Sequence, residues 1–120
     1  MVLIVDGDSS FRKTLNTLFR HGGGFDTCVE ARNGMEAIAK TKRLSPSLAI
    51  LDSSLPEMNG LELAGQLKAI APELPIFMMI EEVNMNVEKE ALSRGITAVF
   101  SKLDDLAPLV ANARAVCGID

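Results

Sequence analysis

The sequence contains neither tryptophan nor tyrosine, and its charge balance is acidic. Without these aromatic side chains, a base-stacking surface for single-stranded nucleic acid is not expected. Twelve Lys and Arg against sixteen Asp and Glu leave a net charge of -4. This is the wrong sign for a domain that would bind DNA or RNA by neutralising phosphates. The sequence therefore predicts no direct binding of nucleic acid.

Cysteine is scarce, and long hydrophobic runs are missing. Cys28 and Cys117 lack the number and the spacing of a disulfide framework or a zinc site. We expect both to be small buried apolar side chains in a reducing compartment. The first apolar run, Val2 to Val5, is too short for a signal peptide or a membrane span. These features predict a soluble cytoplasmic protein with no membrane anchor.

What the sequence does contain is an alternation of short apolar runs and helical patterns. Its 120 residues, 48% of them hydrophobic, predict a single domain over residues 1–120 with a compact core. The patterns predict strands at residues 2–5, 25–31, 48–52, 76–80 and 98–102, each followed by an amphipathic helix. Nearly continuous apolar strands favour a parallel sheet with helices on both faces. In such sheets, ligands bind beyond the carboxyl ends of the strands.

Charged residues stand at several of these strand ends. The first strand ends at Asp6 and Asp8, the third at Asp52 and the fifth at Lys102. Three converging carboxylates would repel one another by roughly 4 kcal/mol per pair at about 4 Å, so a divalent cation and an ammonium are expected beside them. Oxygen ligands without His or Cys favour Mg²⁺, and such a site beside a lysine suits a phosphoryl group. Asp52 is then either a metal ligand or a nucleophile.

Four segments carry a resemblance to a known family. The stretch "DSSLPEMNG", residues 52–60, resembles the phosphoacceptor loop of two-component response regulator receiver domains. The segments "LIVDGDSSFRKTL", "EARNGMEAI" and "GITAVFSK" are similar to other parts of the same family, in the same order. The resemblance covers essentially the whole chain. It implies a flavodoxin-like, doubly wound (βα)5 fold whose five parallel strands have the order 2-1-3-4-5.

The resemblance also implies roles for individual residues. Asp52 would accept a phosphoryl group from a histidine kinase, a phosphotransfer protein or a small phosphodonor. Lys102 would pair with the phosphate. Asp6, Asp52 and the backbone carbonyl of Ser54 would hold Mg²⁺, with Asp8 as an alternative ligand. For Asp8 we favour a second role, capping the helix that begins at Ser9 or Ser10.

Three residues depart from the family pattern. Gly7 stands where the family usually has the acidic residue that binds the metal directly. Ile80 replaces a Ser or Thr at the end of the fourth strand, and Val99 replaces the aromatic residue of the fifth strand. Val99 has a stiff χ1 torsion and no ring to turn. The sequence therefore predicts a receiver with reduced or absent Mg²⁺-dependent phosphorylation and an altered switch.

Two other functions stay open. The chain could be a pseudo-receiver that binds partners without phosphorylation, through its last two helices and fifth strand, the surface that the family uses for dimers. Alternatively, Asp6 and Asp8 are similar to the Asp-x-Asp pair of haloacid dehalogenase-like phosphatases, the first as nucleophile and the second as general acid. The rest of that enzyme pattern is missing, so we do not expect an enzyme.

The residues after Lys102 point to a class of receiver. Lys102 is followed by Leu-Asp-Asp-Leu, and this segment, with residues 44–76, looks most like receivers attached to helix-turn-helix output domains. The sequence ends at "CGID", where a linker to such a domain would begin. We therefore expect a receiver that is excised from, or acts beside, a DNA-binding transcription regulator.

Overall fold

A computed structural model describes residues 1–22 and 24–119. Within these residues, five strands alternate with five helices, as predicted. The strands are β1 (Val2–Val5), β2 (Cys28–Ala31), β3 (Leu48–Asp52), β4 (Ile76–Ile80) and β5 (Ala98–Ser101). The helices are α1 (Ser9–His21), α2 (Gly34–Leu44), α3 (Gly60–Ile70), α4 (Met85–Ser93) and α5 (Ala107–Val116).

The strands form one parallel sheet in the order β2-β1-β3-β4-β5. The predicted flavodoxin-like topology is therefore confirmed. Every residue of the three central strands is buried, which explains why their sequences are continuous apolar runs. The two edge strands are partly exposed. No helix in the described part of the chain is both long and apolar enough to cross a membrane.

The core has two layers, one on each face of the sheet. Successive strand residues point to opposite faces, so Leu3 belongs to one layer and Ile4 to the other. The first layer receives Leu63 of α3, and the second receives Phe19 of α1 and Leu109 of α5. The predicted placement of helices on both faces is confirmed.

Two details differ from the sequence prediction. The pattern "VNMNVEKEALSRG", residues 83–95, predicts the fourth helix. The helix begins instead at Met85, because the side chain of Asn84 accepts a hydrogen bond of 3.0 Å from Val87 N–H and caps it. The two cysteines were predicted to be buried, and both are half-buried free thiols. Cys28 lies on an edge strand and Cys117 directly follows α5, and each packs against the second core layer with one side still open to solvent. Partial burial still raises the pKa of both thiols.

Candidate functional site

Three of the predicted residues meet at the carboxyl edge of the sheet. Asp6 follows β1, Asp52 ends β3, and these strands are neighbours, which brings the two carboxyl groups to the same place. Lys102 follows β5 and reaches both of them. Its Nζ lies 2.7 Å from Asp6 Oδ2 and 3.4 Å from Asp52 Oδ1. The site is therefore a triad of one ammonium and two carboxyl groups.

Burial controls the electrostatics of this triad. Asp6 is 2% exposed and Asp52 is 8% exposed. Burial raises the pKa of Asp52, and the hydrogen bond of 3.1 Å from Ser54 N–H and the charge of Lys102 offset only part of this rise. Burial alone would lower the pKa of Lys102, but its hydrogen bond to Asp6 and the charges of both aspartates raise it overall. Lys102 therefore remains a cation at physiological pH.

Asp8 does not join the triad. Its Oδ1 accepts a hydrogen bond of 2.9 Å from Ser10 N–H and caps α1, which confirms the capping hypothesis. Its backbone N–H donates to Asp6 Oδ1 at 2.9 Å, so Asp8 helps to orient Asp6. The expectation that three carboxylates converge was wrong for this reason. A phosphatase would need Asp8 as a free general acid, and the capping bond argues against that function.

The triad offers an incomplete set of ligands for a divalent cation. Among residues 1–22 and 24–119, no group of three or more His, Cys, Asp or Glu residues is arranged to hold a metal ion. Asp6 and Asp52 nevertheless supply carboxylate oxygens, the type of donor that Mg²⁺ prefers, and Mg²⁺ often uses only one or two protein carboxylates together with water. Both oxygens of Asp6 already accept hydrogen bonds, from Asp8 N–H and from Lys102. A cation would have to compete with Lys102 for Asp6, so the residues fit a weak Mg²⁺ site.

Space at Gly7 does not explain the missing acidic residue. A Cβ atom built on Gly7 would lie 3.5 Å from Pro56 Cδ, which is ordinary van der Waals contact. A Cβ atom at this position would therefore be tolerated.

The loop after Asp52 holds the phosphoacceptor candidate close to α3. A Cβ atom on Gly60 would lie 2.6 Å from the carbonyl oxygen of Asp52 and 2.9 Å from Ser53 Cα, so only glycine allows this approach. Asn59 caps α3 by accepting a bond of 2.9 Å from Glu62 N–H. These contacts give a structural reason for the residue types in "DSSLPEMNG".

A buried arginine that was not predicted from the sequence supports the site. Arg12 on α1 donates from Nη1 to the carbonyl oxygen of Asp6 at 2.7 Å and from Nε to Glu30 at 3.0 Å. The ring of Phe11 lies 4.8 Å from Lys102 Nζ, within the range of a cation–π contact. The available signal was a basic residue among the apolar positions of α1, but the same pattern fits an exposed arginine.

Two of the residues that differ from the family pattern, Ile80 and Val99, lie on neighbouring strands. Ile80 is buried at the end of β4, where it places an apolar side chain beside the site. Val99 is half-buried in β5 and packs against the same core layer as Ile80.

Glu81 and Glu82 follow β4 and are exposed. They line a cleft of about 410 Å³ that also contacts Ser54. This edge of the site is acidic.

Comparison with known proteins gives a consistent result. The sequence profile described as "response regulator receiver domain" matches residues 2–114. A putative transcriptional regulator from Pseudomonas aeruginosa is 33% identical over 115 residues, which cover 96% of this chain and 55% of that protein. The chain thus spans about half the length of that relative. The chemotaxis protein CheY of Listeria monocytogenes is 32% identical over 94 residues, 78% of each chain.

A solved structure supports the fold alone. The crystal structure of a LuxR-family two-component response regulator from Aurantimonas sp. SI85-9A1 superposes with a TM-score of 0.89 at 20% identity. The superposition covers 98% of this chain and 84% of the other.

Proposed function

Because this chain belongs to the response regulator receiver domain family, we propose that it accepts a phosphoryl group on Asp52 and thereby alters its binding to a partner or output domain. The observation that carries the proposal is the triad itself. Lys102 Nζ lies 3.4 Å from Asp52 Oδ1, at the carboxyl edge of a parallel sheet where such folds bind ligands. We also propose that residues 1–120 form a single receiver domain.

The chemistry follows from the positions of the charges. A carboxylate oxygen of Asp52 attacks the phosphorus of a phosphodonor, and the bond between phosphorus and the donor's leaving group breaks with its electron pair on the leaving group. The new acyl phosphate adds negative charge to a buried site. The ammonium of Lys102 then pairs with the phosphoryl oxygens, as a mobile point charge at the end of a flexible side chain.

Mg²⁺ has a reduced role in this proposal. Asp6, Asp52 and the carbonyl of Ser54 would hold the ion, which would supply positive charge to the phosphoryl oxygens. Gly7 provides no further carboxylate. We therefore expect weaker Mg²⁺ binding and a smaller effect of Mg²⁺ on phosphorylation than three carboxylates would give.

The proposal includes partners and a location. The phosphoryl group would come from a histidine kinase or a phosphotransfer protein in the cytoplasm. We expect a DNA-binding output domain beyond residue 120, in line with the relative described as a putative transcriptional regulator, of which the match covers 55%. A homodimer through α4, β5 and α5 is supported by exposed apolar side chains there, including Met85 and Leu92. The receiver itself would turn over no substrate of its own.

Intact-mass spectrometry tests the proposal. The protein is incubated with acetyl phosphate, with Mg²⁺ or with a chelator, beside the matched variant Asp52→Asn. We expect the wild-type protein to gain one phosphoryl group and Asp52→Asn to gain none. No gain by the wild-type protein at saturating Mg²⁺ and donor would contradict the proposal and favour a pseudo-receiver. Turnover of a generic phosphomonoester, lost in Asp6→Asn, would instead revive the phosphatase hypothesis.

A further inference from the structure

The position of Lys102 depends on how its backbone is held. Lys102 directly follows β5, which lies at the edge of the sheet beside β4. Its backbone N–H donates to the carbonyl of Ile80 at 2.8 Å. The next residue, Leu103, is 78% exposed, so packing contributes little to fixing the chain there. Because a lysine side chain is long and flexible, its ammonium group changes position when the backbone that carries it moves.

One hydroxyl group connects the segments on both sides of this lysine. Ser101 Oγ donates to the carbonyl of Glu81 at 2.8 Å and accepts from Leu103 N–H at 3.1 Å. Ser101 is buried, and its register partner on β4 is Ile80. Both hydrogen bonds are part-buried, and removing the hydroxyl would break both of these links at once. The Ser101 hydroxyl therefore ties the residues after β5 to the first residue after β4.

We propose that Ser101 is a positioning residue that holds Lys102 against the two aspartates and couples Lys102 to the loop between β4 and α4. The positioning of Lys102 applies to the unphosphorylated protein. The coupling to the loop between β4 and α4 rests on the proposed phosphorylation of Asp52. When Lys102 moves from Asp6 toward a phosphoryl group, the segment carrying Leu103 moves with it, and the Ser101 hydroxyl transmits that displacement to Glu81.

Because β4 has no hydroxyl-bearing side chain, the Ser101 hydroxyl provides the side-chain hydrogen bond between β5 and the residue after β4. The five residues of β4, "IFMMI", contain no hydroxyl group, so no side chain of β4 can accept or donate a hydrogen bond through an oxygen. The Ser101 hydroxyl stands on the neighbouring strand at the position paired with Ile80. α4 begins four residues after Glu81, at Met85. A change at Ser101 is thus well placed to reach α4.

A matched pair of variants isolates the hydroxyl. Ser101→Thr keeps it, whereas Ser101→Val has nearly the shape of threonine without it. Competitive trace acetylation of the free protein, followed by peptide mass spectrometry, measures how strongly Lys102 is held, with exposed Lys42 as the internal reference. We expect Lys102 to be modified about fivefold faster in Ser101→Val, the change that corresponds to one ordinary hydrogen bond. Ser101→Thr should stay close to wild type.

A second measurement follows the coupling. Amide resonances of residues 81–87 are recorded before and after beryllofluoride, a phosphoryl analogue, is added. We expect the analogue to shift them in wild type and Ser101→Thr and to leave them nearly unchanged in Ser101→Val. If Ser101→Val lacks the wild-type circular dichroism spectrum, Ser101→Ala replaces it.

The acetylation measurement tests the positioning of Lys102, and the resonance shifts test its coupling to the loop between β4 and α4. Equal Lys102 modification in the Thr and Val variants would overturn the positioning role, whether or not Asp52 is phosphorylated. Equal resonance shifts in the two variants would overturn the coupling. If wild type binds no analogue but Lys102 is modified faster in Ser101→Val, the proposed function fails and the coupling fails with it, while the positioning of Lys102 stands.

Discussion

Replacing Gly60 by alanine should destabilise the protein by forcing α3 away from the end of β3. The added Cβ would lie 2.6 Å from the Asp52 carbonyl oxygen and 2.9 Å from Ser53 Cα. Both atoms belong to the backbone, so the clash cannot be relieved by turning a side chain. Overpacking of this kind costs about 1–3 kcal/mol. For a chain of this length, each kcal/mol corresponds to a decrease in Tm of roughly 4 °C.

The same helix supplies a matched control. A Cβ on Gly65 would meet nothing within 4 Å, so Gly65→Ala should stabilise the protein by about 0.5–1 kcal/mol through helix propensity alone. Urea unfolding followed by circular dichroism compares the two variants. Because Gly60 touches the residue that carries the proposed phosphoacceptor group, Gly60→Ala should also slow phosphorylation of Asp52, and Gly65→Ala should not. Equal unfolding free energies for the two variants would mean that the close approach of Gly60 to Asp52 and Ser53 does not limit the residue type at position 60.

Three further changes test the site. Asp8→Ala should cost about 1 kcal/mol of unfolding free energy, because Ser10 N–H loses its cap, and it should leave Mg²⁺ affinity nearly unchanged. Asp52→Asn should be more stable than wild type at pH 7. The pKa of Asp52 is raised in the folded chain, so the wild-type protein loses stability as the pH rises from 3.8, the ordinary pKa of an aspartate, through the raised value. Below pH 3.8, the difference in stability between wild type and Asp52→Asn should vanish. Gly7→Asp should bind Mg²⁺ more tightly than wild type in calorimetry, since it adds a carboxylate.

Each of these predictions has an outcome that would count against it. A large loss of Mg²⁺ affinity in Asp8→Ala would make Asp8 a metal ligand rather than a cap. A pH-independent difference between wild type and Asp52→Asn would mean that burial of the charge does not set the pKa of Asp52. Unchanged Mg²⁺ binding in Gly7→Asp would show that position 7 does not face the cation.

The fold could be predicted because its signals are local. The strand at residues 76–80 is a continuous apolar run, and a strand buried on both faces needs such a run. The helix at residues 34–44 follows Asn33, whose side chain caps it at Glu36 N–H with a bond of 2.9 Å. Asn84 gives the same signal before α4, so that helix start could have been read more accurately.

The site was predicted only in part, because its contacts join distant segments. Asp52 and Lys102 were recognised by their loop and strand-end patterns. The preference of Lys102 for Asp6 depends on the adjacency of β1 and β3 and on side-chain reach, which no pattern encodes. Arg12 was missed because its partners, the Asp6 carbonyl and Glu30, come together only in the folded chain. Cys117 was misjudged for a similar reason, since its exposure depends on where α5 ends.

Mapping the modified residue by mass spectrometry shows whether Asp52 accepts the phosphoryl group. Protein treated with acetyl phosphate is reduced with borohydride, which converts an aspartyl phosphate to homoserine, and its peptides are sequenced by mass spectrometry. We expect homoserine at position 52 alone, with the yield strongly reduced in Lys102→Met. Homoserine at Asp6 or Asp8, or none at any aspartate under conditions that saturate the donor, would contradict this expectation.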